Sequence, residues 1–305
     1  MWDSGTVGRR VGYHGIVRAL LAVLLLGCHA RLDGEAVDAA VPDGAADARP
    51  DAFVPLGPWS APTMLPFSLD GDDDPSATGD LLELYFNRAQ DIYVTTRATT
   101  SAAWGTPALV PELSVAAVND TTPEVTYDGL TMYLGSARTP SLGATDIWMS
   151  TRASRTAPWG TPVAVAELSS ASSEQSSTTS DNLHITFESD RGGVSLDIYA
   201  AERASVTQPW GAPIALTEVN GAGADGNPML SRDRLELFMN SDRSGNAELY
   251  VAKRATPSLP FSAPVLITEL ADPTLDNDPW ISADDRTLMF TSDRGGTRRL
   301  WVTTR

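Results

Sequence analysis

The chain is poor in the residues on which most catalytic and metal chemistry depends. Of its 305 residues one is cysteine, Cys28, which excludes an intramolecular disulfide, and three are histidine. Beyond residue 57 only His184 remains, so zinc sites of the usual kind and Ser-His-Asp or Cys-His catalysis are excluded there. Positive charge is scarce as well. The 22 Lys and Arg stand against 39 Asp and Glu, a formal net charge of −17, which repels phosphate backbones and excludes nucleic acid as the expected partner. Helical periodicity is missing after residue 28.

What is present begins with residues 1–28. Arg9, Arg10 and Arg18 precede a short apolar core, Ala19 to Leu26, far below the roughly 20 residues of a membrane-spanning helix; this reads as a secretion signal. It ends in Leu25-Leu26-Gly27-Cys28, which resembles the lipobox of bacterial lipoproteins and makes Cys28 the expected lipidation site. His29 rather than Asp follows the cysteine, and by the same resemblance this favours the outer membrane. Residues 29–57 scatter Asp33, Glu35, Asp38, Asp43, Asp47 and Asp51 among alanines and prolines. Such a segment has too little apolar area to offset chain entropy, so a disordered tether is expected.

From residue 58 to 305 the chain repeats a unit five times, with a period of about 50 residues, the mark of a repeat architecture. Each unit opens with an aromatic residue and a proline three positions on: Trp59/Pro62, Trp104/Pro107, Trp159/Pro162, Trp210/Pro213 and Phe261/Pro264. Proline suits an edge strand, where its missing N–H is not needed. A short segment follows from Pro75, Pro123, Ser176, Pro228 and Pro279, carrying a hydroxyl and then Asp80, Asp128, Asp181, Asp233 or Asp284, an aspartate suited to opening a turn. Next comes a run alternating with period two, such as Leu183/Ile185/Phe187, which predicts a strand with one buried face. A turn, clearest as Ser189-Asp190-Arg191-Gly192-Gly193, leads to a last strand with an aromatic third residue and a closing arginine: Tyr93/Arg97, Trp148/Arg152, Tyr199/Arg203, Tyr250/Arg254 and Trp301/Arg305.

Five units of four strands predict an all-β fold, a five-bladed β-propeller of four-stranded antiparallel blades. If the Trp-x-x-Pro strand is outermost in the preceding blade, Trp59–Leu69 completes the last blade, and the N-terminal strand closes the ring. Ser231/Asp233, Ser282/Asp284, Asp128-Gly129, the Ser-Asp-Arg turns and Asp197-Ile198-Tyr199 resemble the Asp-rich, WD-like propeller repeats of the TolB C-terminal domain. The resemblance implies the fold. It does not carry over TolB's role with a peptidoglycan-associated partner, because five units are counted here rather than six and no second α/β domain precedes them.

Repetition argues that the Ser-Asp-Arg turns are structural. Their arginines are placed to reach the acid before the aromatic, Asp146, Asp197 or Glu248; in the last unit that position is Arg299, so Arg294 must pair elsewhere or face solvent. Three residues ahead of the proline position stand Asp72, Asp120, Asp225 and Asp276, with Ser173 in the third unit and Asp73, Asp74, Asn227, Asn277 and Asp278 nearby. Five-fold repetition predicts an acidic ring at one channel mouth, a candidate for a ligand or for Ca²⁺, with the solvated-turn alternative favoured and no other cofactor implied. His184 sits in a slot filled elsewhere by Glu83, Thr131, Glu236 and Thr287 and reads as a surface substitution. The irregular loops 135–145 and 169–180 are the expected places for specific contacts. The sequence thus points to a monomeric, lipid-anchored, non-catalytic module binding an envelope protein, peptide or glycan. The alternative is a carboxylate-dependent glycoside hydrolase, which would need different acids in different blades.

Overall fold

The computed structural model describes residues 56–193 and 195–305; Cys28, the signal and most of the tether lie outside the described residues. The first blade is built from β2 (Asp72–Ala77), β3 (Glu83–Arg88), β4 (Asp91–Thr96) and β5 (Ala108–Leu109). The second takes β6 (Asp120–Val125), β7 (Thr131–Ser136), β8 (Asp146–Thr151) and β9 (Val163–Ala164). The third takes β10 (Glu174–Thr178), β11 (His184–Ser189), β12 (Asp197–Glu202) and β13 (Ile214–Ala215). The fourth takes β14 (Asp225–Leu230), β15 (Glu236–Ser241), β16 (Glu248–Lys253) and β17 (Val265–Leu266). The fifth combines β18 (Asp276–Ile281), β19 (Thr287–Ser292) and β20 (Arg299–Thr304) with β1 (Thr63–Met64) from the start of the domain. All neighbouring strands are antiparallel, and the protein is a five-bladed β-propeller.

Closure follows the expected route. Thr63 pairs with Val302 and Met64 with Trp301, so both ends of the domain share one sheet and the fifth blade gains its outer strand. The guanidinium of Arg305 stacks 4.4 Å above the Trp59 ring, repeating Arg97 on Trp104, Arg152 on Trp159, Arg203 on Trp210 and Arg254 on Phe261 at 4.2 to 4.4 Å. Each of these arginines also donates Nε to the carbonyl of the turn after the innermost strand, as Arg305 does to Asp285 at 2.7 Å. One residue thereby joins an outer strand to an inner turn in every blade.

Two expectations are corrected. The second strands are buried on both faces rather than one: β7 is buried at every position and β3 at all but its last. The alternate positions meet the neighbouring blade, with Tyr85 edge-on to Trp159 at 6.0 Å and Tyr133 edge-on to Trp210 at 6.5 Å. Radial stacking puts protein on both sides of each sheet, so apolar clusters form between blades rather than at one centre. The innermost strands also start earlier than the proline, at the acid itself, because a bulge lets three more residues join the sheet.

Deleting residues 58–69 removes β1, Trp59 and the buried Leu65 together. Loss of a large buried aromatic alone costs ~3–5 kcal/mol, so the melting temperature should fall by about 10 °C or more; an unchanged melting curve would contradict closure by this strand.

Candidate functional site

Asp72, Asp120, Asp225 and Asp276 do not ring the mouth. They open β2, β6, β14 and β18 with side chains fully buried inside the blades, each paired with the arginine of its own Ser-Asp-Arg turn or its worn copy. The pairs are Arg88–Asp72 at 2.6 Å, Arg138–Asp120 and Arg243–Asp225 at 2.5 Å, and Arg294–Asp276 at 2.7 Å. This replaces the expected pairing with the acid before the aromatic. Asp146 instead accepts the Leu142 N–H, and Glu248 accepts from Asn246. The arginines are fixed from other sides as well. Nε of Arg138, Arg243 and Arg294 donates to the turn serine, a second nitrogen donates to a backbone carbonyl, and the guanidinium lies over the aromatic of the following strand, Trp148, Tyr250 or Trp301. A buried charge is tolerated only when paired and hydrogen-bonded in this way. The calcium expectation therefore has no four-fold ring of free carboxylates to rest on.

In the third blade the partner is Glu174, not Ser173: Arg191 pairs with Glu174 at 3.0 Å. Glu174 faces Ser189 in the sheet as Asp225 faces Ser241. The stretch from this acid to the turn aspartate Asp181 is one residue shorter than from Asp225 to Asp233, and β10 has five residues where its mates have six. Ser177 thus takes the proline position.

The mouth is built from the next residues along each innermost strand. The third residue, Asp74, Thr122, Ser176, Asn227 or Asp278, has a left-handed φ between 46° and 54° in all five blades. That conformation is unfavourable for residues with a Cβ, and here it turns five side chains toward one another around the channel. Above them opens a funnel of about 280 Å³ lined by Asp73, Thr121, Gln175, Glu188, Asn240, Asn277 and Arg298 together with the ring itself. Below them Pro75, Pro123, Ser177, Pro228 and Pro279 narrow the channel onto Glu124 and Trp280.

The funnel is asymmetric where the fasteners are symmetric. One oxygen each from Asp73, Asp74 and Asp278 lies within 4.8 Å of the others, and their counter-charge is Arg298, which donates to Asp73 at 2.6 Å. Across the funnel Glu188 accepts from Gln175 and from the Asn227 N–H, both at 2.8 Å. It has room because residue 226 is glycine: a Cβ there would collide with the Glu188 carboxylate. Burial is the main cause of every shift in acidity. It pushes Asp74 up to about 7, aided by repulsion from Asp73, and Asp278 well above the usual range, aided by Asp73 and Asp74. Glu124, whose one hydrogen bond is from Ser76 at 2.8 Å, rises to about 8, and Glu188 is raised.

The sequence placed Asp73, Asp74, Asn277 and Asp278 in the right neighbourhood but missed Glu188, Arg298, Gln175 and Glu124. The available signal was departure from the repeat. Glu188 replaces Asn87, Gly135, Asn240 and Thr291, while Arg298 replaces Gln90, Thr145, Leu196 and Ala247. His184 lies at the other end of β11 from Glu188, hydrogen-bonded to Asp181 at 2.7 Å and partly exposed.

No sequence family and no curated protein matches the chain. Among solved structures it is similar to an endo-arabinase from Bacteroides thetaiotaomicron, at 16% identity and TM-score 0.57, covering 81% of this chain and 98% of that one. It is also similar to the catalytic domain of a GH62 α-L-arabinofuranosidase from Coprinopsis cinerea, at 12% identity and TM-score 0.53, covering 82% and 97%. A TolB from Acinetobacter baumannii aligns at 17% identity and TM-score 0.49 over 77% of this chain, which spans about half, 54%, of that TolB. At these identities the shared property is the propeller fold.

Two measurements check this geometry. Asp120→Ala strands the Arg138 guanidinium in a buried site and should cost ~3–5 kcal/mol in urea unfolding, whereas Gln175→Ala at the funnel should cost under about 1 kcal/mol; equal costs would contradict the division into fastener and mouth. Raised pKa values make the native state bind more protons than the unfolded chain, so stability should fall as pH rises from about 4 toward 8 and level off above. Glu124→Gln should flatten the upper part of that curve, and parallel curves for the two proteins would refute the burial of a neutral Glu124.

Proposed function

We propose that the protein is a non-catalytic binding module of the cell envelope, a lipid-anchored propeller that takes a polar protein segment, peptide or glycan at its funnel. The observation that carries this reading is the crowding of the funnel's acids: one oxygen each from Asp73, Asp74 and Asp278 lies within 4.8 Å of the others. Glycoside hydrolysis needs an acid and a second carboxylate separated by about 5–9.5 Å so that the scissile bond lies between them. Oxygens no more than 4.8 Å apart fall short of that separation. The other funnel acids are engaged as well, Asp73 by Arg298 and Glu188 by Gln175 and the Asn227 backbone. Recognition capacity is supplied by the neutral polar side chains that line the funnel, Thr121, Gln175, Asn240 and Asn277.

Cys28, through an acyl chain, would hold the module at a membrane, and residues 29–57 would set its reach. One chain acts alone in this reading, with an outer-membrane location favoured by His29. The test pairs capture with turnover. Immobilised wild-type protein should retain an envelope component that Gln175→Ala/Asn240→Ala binds at least about tenfold more weakly, and Cys28→Ser should leave the membrane fraction. Neither arabinan nor xylan should release sugar above the level of Asp74→Asn/Asp278→Asn. Sugar release abolished by that double substitution would establish the rival glycosidase.

A further inference from the structure

The side chains of the five left-handed residues form a hydrogen-bonded circuit with one irregular link. Asp74 Oδ2 accepts from the Thr121 hydroxyl at 3.0 Å and from the Thr122 N–H at 3.3 Å. Thr122 Oγ1 accepts from the Ser176 N–H at 3.1 Å, the Ser176 hydroxyl donates to Asn227 Oδ1 at 2.8 Å, and Asn227 Nδ2 donates to Asp278 Oδ1. Every step so far joins a donor to an acceptor. The last step, from Asp278 back to Asp74, brings two carboxyl oxygens within 4.8 Å of each other, and ionised carboxylates are acceptors only. It closes only if one of them carries a proton.

We propose that Asp74 and Asp278 form a proton-operated latch across the channel: with one shared proton the five-membered circuit is closed, and on its loss the two carboxylates part at the seam between the first and last blades. Opening there joins the funnel to the lower channel at Glu124 and Trp280. The inference stands whether the funnel binds or hydrolyses its ligand, since it concerns access along the channel.

The surroundings decide the direction. Facing the pair are Asp73 on β2 and Arg298 in the turn before β20, with Asp293 at 3.9 Å from Arg298. Thr121 and Thr122 on β6 and Asn227 on β14 are neutral donors, while Glu188 on β11 lies across the funnel and Glu124 on β6 below. A single guanidinium therefore stands against Asp73, Asp74 and Asp278, and two like charges in one enclosed site cannot both ionise easily. The pair titrates as a unit, with burial and repulsion from Asp73 pushing the Asp74 carboxyl up to about 7.

The Thr122 and Ser176 amides donate into the circuit and report its state. In the full-length protein in detergent, amide exchange corrected for its intrinsic pH dependence should rise at least about tenfold at these two amides between about pH 5.5 and about pH 8.5. Asp278→Asn and Asp74→Asn each supply an amide N–H that closes the link without a proton, so both should abolish the step, while Glu124→Gln should leave it. No step in the wild type, a step persisting in both asparagine variants, or a step driven by added calcium at constant pH would each overturn the latch.

Discussion

The structure depends on one interaction repeated around the ring: an arginine at or just past the end of each second strand, bonded to the buried carboxylate that opens the innermost strand. Asp72, Asp120, Glu174, Asp225 and Asp276 supply the acids and Arg88, Arg138, Arg191, Arg243 and Arg294 the bases. Each pair ties the start of the strand nearest the channel to the end of its neighbour. Those strands carry the left-handed residue and, in four of the five, a proline, which weakens their own ladder. The ion pair fixes at its root a strand that local backbone preference would let go. The channel keeps its shape because its walls are pinned one residue outside the mouth.

Much of this was legible in the sequence. The Trp-x-x-Pro phase gave the outer strands and the closure of the last blade by Thr63–Met64, because proline and period-two patterning report directly on backbone pairing. What pairing patterns do not report is where a side chain turns. Asp72 and Asp73 are adjacent and chemically identical, yet one is sealed beneath Arg88 and the other faces the funnel. Strand alternation sends them to opposite sides, and only the bulge at residues 73–76 sets which side is which. The third blade shows the same limit: one residue fewer between Glu174 and Asp181 shifts the register, and Glu174 rather than Ser173 becomes the acid.

Symmetry separates scaffold from site. Where the five copies agree, at the arginine–acid pairs and the arginine–aromatic stacks, the residues hold the fold. Where they diverge, at Asp74, Thr122, Ser176, Asn227 and Asp278 and at Glu188 and Arg298 above them, the channel gains a chemically distinct corner. Its position follows from ring closure. The first and last blades each bring an aspartate to the same level, and the blades between them bring neutral donors. The funnel's acids are therefore unevenly neutralised, with a single arginine among them.

The account rests most on the claim that Asp74 and Asp278 share a proton at neutral pH. A ¹³C NMR titration of the aspartate side-chain carboxyls, assigned with Asp74→Asn and Asp278→Asn, tests it directly. Two coupled steps are expected from the pair, the upper one near or above 7, with single-step behaviour for the survivor in each variant. Independent titration of both carboxyls near the ordinary aspartate value of about 3.9 would contradict the account.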